Sequence, residues 1–154
     1  LIILKSQDEI ERIAEACWFA AKLLEDMKKI IAPGITTIEL DRFAESFIIS
    51  KGAEPAFKGY RGYPATLCTS VNEQVVHGIP STMKLKEGDI ISLDVGVYYR
   101  GFYGDAAVTL PVGKINDVAK KLVTVTAESL YQGIKNAVVG NRLSDISSAI
   151  QNCV

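Results

Sequence analysis

Residues 89–105 read DIISLDVGVYYRGFYGD, and the reading of this stretch decides the fold. The stretch is rich in β-formers, and Leu93, Val95 and Val97 alternate with Asp94 and Gly96 at the period of a strand. A hairpin turn centred on Tyr99-Arg100 predicts Asp94 directly opposite Asp105, on the same face of the ribbon and with Cβ atoms about 4.5–5.5 Å apart. Two bare carboxylates at that distance repel by roughly 3 kcal/mol at an effective dielectric of about 20. A divalent cation between them turns the penalty into attraction, because carboxylate oxygens are hard ligands. Leu93, Val95 and Val97 are expected on the other face, and Gly96 and Gly104 are expected to leave space beside the carboxylates. Spacing alone leaves the plainer alternative open: strand-end aspartates are common, and a register slip of one residue would put these two on opposite faces.

Working outward, strands are predicted over 66–71, 90–99 and 102–112. Before them, Ser6 with Glu9 makes a capping box, and Ile10, Ile13, Ala14, Cys17, Ala20, Ala21, Leu24, Met27 and Ile31 follow helical spacing until Pro33-Gly34. Thr36 with Glu39 repeats the signature, Leu40, Ala44, Phe47 and Ile48 form a buried face, and Gly52 ends the second helix. A third helix is expected from Asn116-Asp117 to Gly140, with Val118, Leu122, Val125, Leu130, Ile134 and Val138 on one side. Ser144 is expected to cap a fourth, with Ile146, Ala149, Ile150 and Val154 as its apolar stripe. Helices bracketing a block of strands indicate an α+β fold. The first residue is not Met and the last helical pattern simply stops, so the chain is expected to be a piece of a longer protein.

The 154 residues are 48% hydrophobic and 23% charged, as in ordinary globular domains, which excludes wholesale disorder. A net charge of −1 with dispersed lysines gives no footprint for nucleic acid. Apolar runs fall far short of the ~20 residues of a membrane span, and the N-terminus lacks a signal-peptide pattern. Cys17, Cys68 and Cys153 are odd in number and without close pairing, which points to reduced thiols in the cytoplasm. Phosphate-loop, dinucleotide, His-Glu-x-x-His and G-x-S-x-G patterns are all missing from the sequence.

His77, the single histidine, lies in the Gly/Pro-bounded segment VNEQVVHGIP of residues 71–80. One histidine cannot build a multi-histidine zinc site, but it suffices as a hydrogen-bond partner for substrate near neutral pH. Residues 57–64, FKGYRGYP, interleave glycines with Phe57, Tyr60 and Tyr63 and are followed by Cys68. Such a loop either lines an apolar pocket or is simply pinned to the core by its tyrosines. Cys68 on its own reads as a small buried residue.

Four motifs in register carry a resemblance: residues 57–64; Ser70-Val71-Asn72-Glu73 with Val76-His77-Gly78-Ile79-Pro80; Gly88-Asp89-Ile90 with Asp94-Val95-Gly96; and Gly104-Asp105. In order and spacing the chain resembles the type I methionine aminopeptidases of the pita-bread metallopeptidase family, from about Ser6 to its last residue. The resemblance implies an incomplete pita-bread fold, with 1–154 as the N-terminal part of a single catalytic domain. It implies two divalent metal ions (cobalt, manganese, iron or zinc), Asp94 binding one and Asp105 bridging both. His77 would contact substrate near the scissile peptide, while Tyr60, Tyr63 and Cys68, with Phe57, would line the methionine pocket. The implied substrate is the N-terminal Met of nascent polypeptides, with action near the ribosome. A histidine and two glutamates complete the family's ligand set, and with His77 committed to substrate this sequence has no other histidine to offer. The resemblance therefore implies weak metal binding and little activity for these 154 residues alone. Two other readings share the fold: a non-catalytic pita-bread binding protein, and a half-protein that assembles with a partner. A proline-specific peptidase is the nearer enzyme alternative.

Overall fold

The computed structural model describes residues 2–154, which form two compact units divided after Lys114. The first carries helices α1 (Gln7–Met27) and α2 (Thr37–Ser50), then strands β1 (Glu54–Pro55), β2 (Leu67–Val71), β3 (Ile90–Tyr99) and β4 (Phe102–Pro111), with a short 3-10 turn at Tyr60–Gly62. The second is a helical hairpin of α3 (Asp117–Asn136) and α4 (Leu143–Gln151).

All strand pairings are antiparallel: β4 takes one edge of β3, while β1 and β2 pair end to end along the other. The β3–β4 turn lies at Arg100-Gly101, one residue later than the spacing predicts, so Tyr99 faces Phe102 and Gly96 faces Asp105. Both turn residues have positive φ, 50° and 88°, the primed geometry that follows the twist of a two-residue hairpin. Glycine supplies the second at no steric cost.

The odd-numbered residues of β3 point to the helices. Ile91, Leu93, Val95 and Val97 are fully buried with Leu67 and Val71 of β2, against Ala20, Leu23, Leu24 and Met27 of α1 and Leu40, Ala44 and Ile48 of α2. Helix α1 lies on β3 and β4, and α2 on β1 and β2. Both capping boxes form: Ser6 and Thr36 each accept from the N–H three residues on, and Glu9 and Glu39 reach back. Helix α1 ends at Met27, short of the Ile31 expected, because Lys29 and Ile30 turn back on Asp26 and Met27 in tighter turns. Ile30 and Ile31 still pack on the core, which explains why the apolar period outlasts the helix.

Gly104 does not stand beside the carboxylates as expected. It faces α1, where a Cβ would fall 2.2 Å from the Ala16 carbonyl carbon and 2.3 Å from the Cys17 nitrogen. Helix and sheet meet here backbone to backbone.

In the second unit, Asn116 caps α3 by accepting from the Ala119 N–H. The helix ends at Asn136, four residues before Gly140, and the Asn136 amide folds back on the Gln132 carbonyl. Helix α4 starts at Leu143, and Asp145 accepts from the Arg142 N–H in the capping role assigned to Ser144. It closes at Gln151, so Val154 does not extend its stripe. The hairpin is joined at Gly133, over which Ile150 and Ile146 lie. Ser129 and Gly133 form the buried line of α3, and the predicted apolar residues flank it in solvent, with Val118, Leu122, Leu130, Ile134 and Val138 all more than half exposed.

Gly104→Ala is expected to lower stability by about 1–3 kcal/mol, because the new methyl meets helix backbone that cannot rotate away. Urea unfolding would read this as a lower midpoint at an unchanged slope. An unchanged midpoint would mean that α1 can retreat from the sheet without cost.

Candidate active site

The even-numbered residues of β3 point away from the helices. Register places Cys68 of β2 opposite Asp94, and Asp94 opposite Ala107 of β4, with Asp105 opposite Gly96. Asp94 and Asp105 therefore share a face, as the sequence indicates, but stand diagonally and not directly opposite. Diagonal backbone positions are roughly 7–8 Å apart, within reach of the two side chains, and their like charges still repel. Gly96, between them on β3, makes way for Phe57: a Cβ there would fall 2.5 Å from the ring. The ring thus lies over the sheet next to Asp94.

Asp94 is half-buried and Asp105 is exposed. Burial, then the charge of Asp105, raises the Asp94 carboxyl above its ordinary value, a side-chain hydrogen bond with Asp105 adds to the rise, and the charge of His77 works against it. His77 lies in the segment that follows β2. Its backbone holds a φ of 60°, in the left-handed region, and its side chain is exposed. The next residue fixes that conformation: the Gly78 carbonyl accepts from Thr69 N–H at 2.7 Å, and the Gly78 N–H donates to Ser70 Oγ at 3.1 Å. A left-handed residue held this firmly is a candidate for function.

Tyr63 reaches the same place from the aromatic loop. Its hydroxyl donates toward the Leu67 and Gly78 carbonyls at 2.8 and 3.0 Å, so it pins the loop while its ring remains available to line a pocket. Burial above all, then hydrogen bonding with Cys68 and nearby negative charge, holds the phenol well above its ordinary value. Cys68 is buried, and burial pushes its thiol up as well, with Asp94 and Asp105 adding to the effect and Tyr63 opposing it. The thiol is consequently kept protonated, a soft apolar contact and not a nucleophile. Tyr60 is 63% exposed, with the Arg61 guanidinium over its ring.

Phe57, Cys68, Asp94 and Asp105 thus share the side of the sheet opposite α1 and α2, Tyr63 ties the loop to the Gly78 carbonyl next to His77, and Tyr60 stands at the loop's outer end. The recess lined by Glu11, Ala14, Glu15, Trp18, Phe19 and Tyr99 belongs to the α1 side and includes none of them. Sequence reasoning passed over Asp41, whose buried carboxylate accepts from the Thr66 and Leu67 N–H groups, both at 2.9 Å. An acid beside Leu40 on the buried side of an amphipathic helix was the available signal.

As a metal site, the pair fits in part. Two carboxylates, one half-buried and destabilised by its neighbour's charge, are the hard oxygen donors a divalent ion requires. Among the described residues no group of three or more His, Cys, Asp or Glu side chains is arranged to hold an ion.

Comparison with known proteins identifies the family. The profile of metallopeptidase family M24 matches residues 11–154. Methionine aminopeptidase 1 of Bacillus subtilis is 52% identical over 154 residues, and methionine aminopeptidase of Clostridium perfringens 51%. The chain is covered completely in both cases and spans 62% of each relative's length. The crystal structure of methionine aminopeptidase from Thermotoga maritima superposes with a TM-score of 0.96 at 44% identity, over all of this chain and 62% of that one.

The raised Asp94 carboxyl has a consequence for stability in metal-free protein. The folded state binds this proton more readily than the unfolded state, so the contribution is present at low pH and is lost as pH rises through the folded value. Asp94→Asn removes that loss. Its stability relative to the parent is expected to grow between about pH 4 and pH 7, measured by urea unfolding in the presence of chelator. A difference that is flat in pH would show that Asp94 does not sense burial or Asp105.

Proposed function

The chain belongs to metallopeptidase family M24, and from that premise we propose that the protein is a metal-dependent aminopeptidase that removes the initiator methionine from nascent polypeptides. Its fold is the corresponding part of the pita-bread architecture, an α+β layer of helices on an antiparallel sheet. The observation that carries the reading is the shared face of Asp94, Asp105 and Cys68 set by the strand register, with the Tyr63 hydroxyl tying the aromatic loop to the Gly78 carbonyl next to His77. On this reading residues 1–154 are the N-terminal part of a single catalytic domain, working in the cytoplasm on chains as they leave the ribosome.

The residues divide into two duties. Asp94 and Asp105 would hold the metal ions through their carboxylates. When bound, two divalent ions supply Lewis acidity at the scissile carbonyl and lower the pKa of water, and cobalt, manganese, iron and zinc all suit such ligands. His77 presents an imidazole beside that centre to hydrogen-bond the substrate's peptide group. Cys68, Phe57 and the ring of Tyr63 offer sulfur and aromatic surface, which suits an unbranched thioether, and Tyr60 closes the outer side. Tyr63 has its hydroxyl committed to two carbonyls, so it adds no competing polar group. With no G-x-S-x-G nucleophile elbow in the sequence, hydrolysis would proceed by water without a covalent intermediate.

Two carboxylates are a short ligand set. We therefore expect the 154-residue chain by itself to bind metal weakly and to turn over slowly. The test is release of methionine from Met-Ala-Ser, with Leu-Ala-Ser as control, in manganese or cobalt and after chelation, together with manganese binding by titration calorimetry. Metal-dependent release that is selective for methionine, lost by about 100-fold or more in Asp105→Ala and His77→Ala, is the expected result. Manganese binding no tighter than in the Asp94→Ala/Asp105→Ala double variant, with no methionine released, would overturn the assignment.

A further inference from the structure

Thr37, Asp41 and Glu45 succeed one another at intervals of four residues and so form one row along α2. Each is bonded to a segment that carries residues of the site. The Thr37 hydroxyl donates to the Ser81 carbonyl at 3.1 Å and accepts from the Ser81 N–H at 2.8 Å, four residues beyond His77. Asp41 Oδ1 accepts from both Thr66 and Leu67 N–H at 2.9 Å, at the entry to the strand that carries Cys68. Glu45 pairs with the Lys58 ammonium at 2.6 Å, next to Phe57. The neighbouring row, Leu40, Ala44 and Ile48, is fully buried and fixes the rotation of the helix against the core.

These bonds close a circuit. From Asp41 it runs to the Leu67 N–H, from the Leu67 carbonyl through the Tyr63 hydroxyl to the Gly78 carbonyl, and along the chain to Ser81 and back to Thr37. We propose that this row of α2 is the positioning device of the substrate pocket, with Asp41 its central positioning residue. The proposal rests on the aminopeptidase reading, since it assigns Asp41 a part in recognising the substrate's first side chain. Asp94 and Asp105 are held otherwise, by the β3–β4 ladder, and that ladder makes no bond to the row. The row therefore reaches the aspartates through β2, whose Cys68 faces Asp94, and not directly. Losing Asp41 strands two buried N–H groups and frees the 63–67 segment, yet leaves the aspartates in register.

The test compares Asp41→Ala and Asp41→Asn with the parent protein. In Asp41→Ala, amide exchange should quicken by about tenfold or more at residues 66–67 and also at 77–81, with β3 and β4 still protected. KM for Met-Ala-Ser should rise about tenfold with kcat changed by no more than about twofold, and manganese affinity should hold. Asp41→Asn should recover most of the loss, because one oxygen accepts both bonds and the amide keeps that oxygen. Unchanged exchange at 77–81 would overturn the proposal, as would kcat and manganese affinity falling together with KM, or an asparagine variant no better than alanine. If Asp41→Ala does not fold, Thr37→Val cuts the same circuit at Ser81 and should give the same pattern. A parent protein that releases no methionine sinks the peptidase reading alone, and the exchange rates at 77–81 then decide the clamp.

Discussion

Everything in the first unit depends on the register of the β3–β4 hairpin. With Arg100 and Gly101 both at positive φ, the turn takes two residues, and the pairing along ten residues of each strand results from it. That register sends Leu93, Val95 and Val97 into the helices and Asp94 and Asp105 to the other side. A slip of one residue would exchange the faces of one strand, burying carboxylate against α1 and turning valines out. The core and the carboxylate face are thus enforced by the same parity. Gly104 adds a steric lock, because only the present register brings a residue without a side chain against the Ala16 carbonyl.

Two aspartates of this unit, Asp41 and Asp94, show two ways the fold treats a carboxylate. Asp41 is almost fully buried, and two backbone N–H groups aim at one of its oxygens. Its charge is answered in the resting protein. Asp94 is less buried, yet its principal polar neighbour is another carboxylate, and its proton is held more tightly than in water. A carboxylate left beside a like charge is costly to keep ionised. The arrangement makes physical sense if an external cation supplies what the protein withholds, as the metallopeptidase family requires. Asp41 and Asp94 thus separate by hydrogen bonding more clearly than by burial.

Much of this was legible in the sequence because local rules governed it. Ser6/Glu9 and Thr36/Glu39 box their helices as read, and the alternation through β3 fixes which face is buried. The errors arose where tertiary contact outranks local pattern. The turn fell one residue late because Arg100 accepts a left-handed conformation that favours Gly and Asn, so Arg100-Gly101 carried a weaker signal than Asn-Gly would. Gly104 was placed beside the carboxylates because a sequence does not say which glycine meets a helix. On α3 the apolar residues exceed what one neighbouring helix can cover, so their pattern could not identify Ser129 and Gly133 as the buried line. Asp41 went unread because its partners lie 25 and 26 residues away, beyond any local motif.

The way these parts are held bears on how the site can vary. Backbone ladders are spread over many bonds, so a substitution on the surface of β3 or β4 leaves Asp94 and Asp105 in register. The aromatic loop and the His77 segment have no such ladder. They rely on a few directed bonds: to α2, through the Tyr63 hydroxyl, from Ala56 to the Gly96 carbonyl, and between Gly78 and β2. Each of those bonds ends on a backbone group at the loop, so side chains at 57, 60 and 68 can change without breaking it. On the proposed reading, the pocket lining can adapt to a different side chain while the carboxylates keep their places. A fold arranged in this way can alter what it recognises without rebuilding what it does.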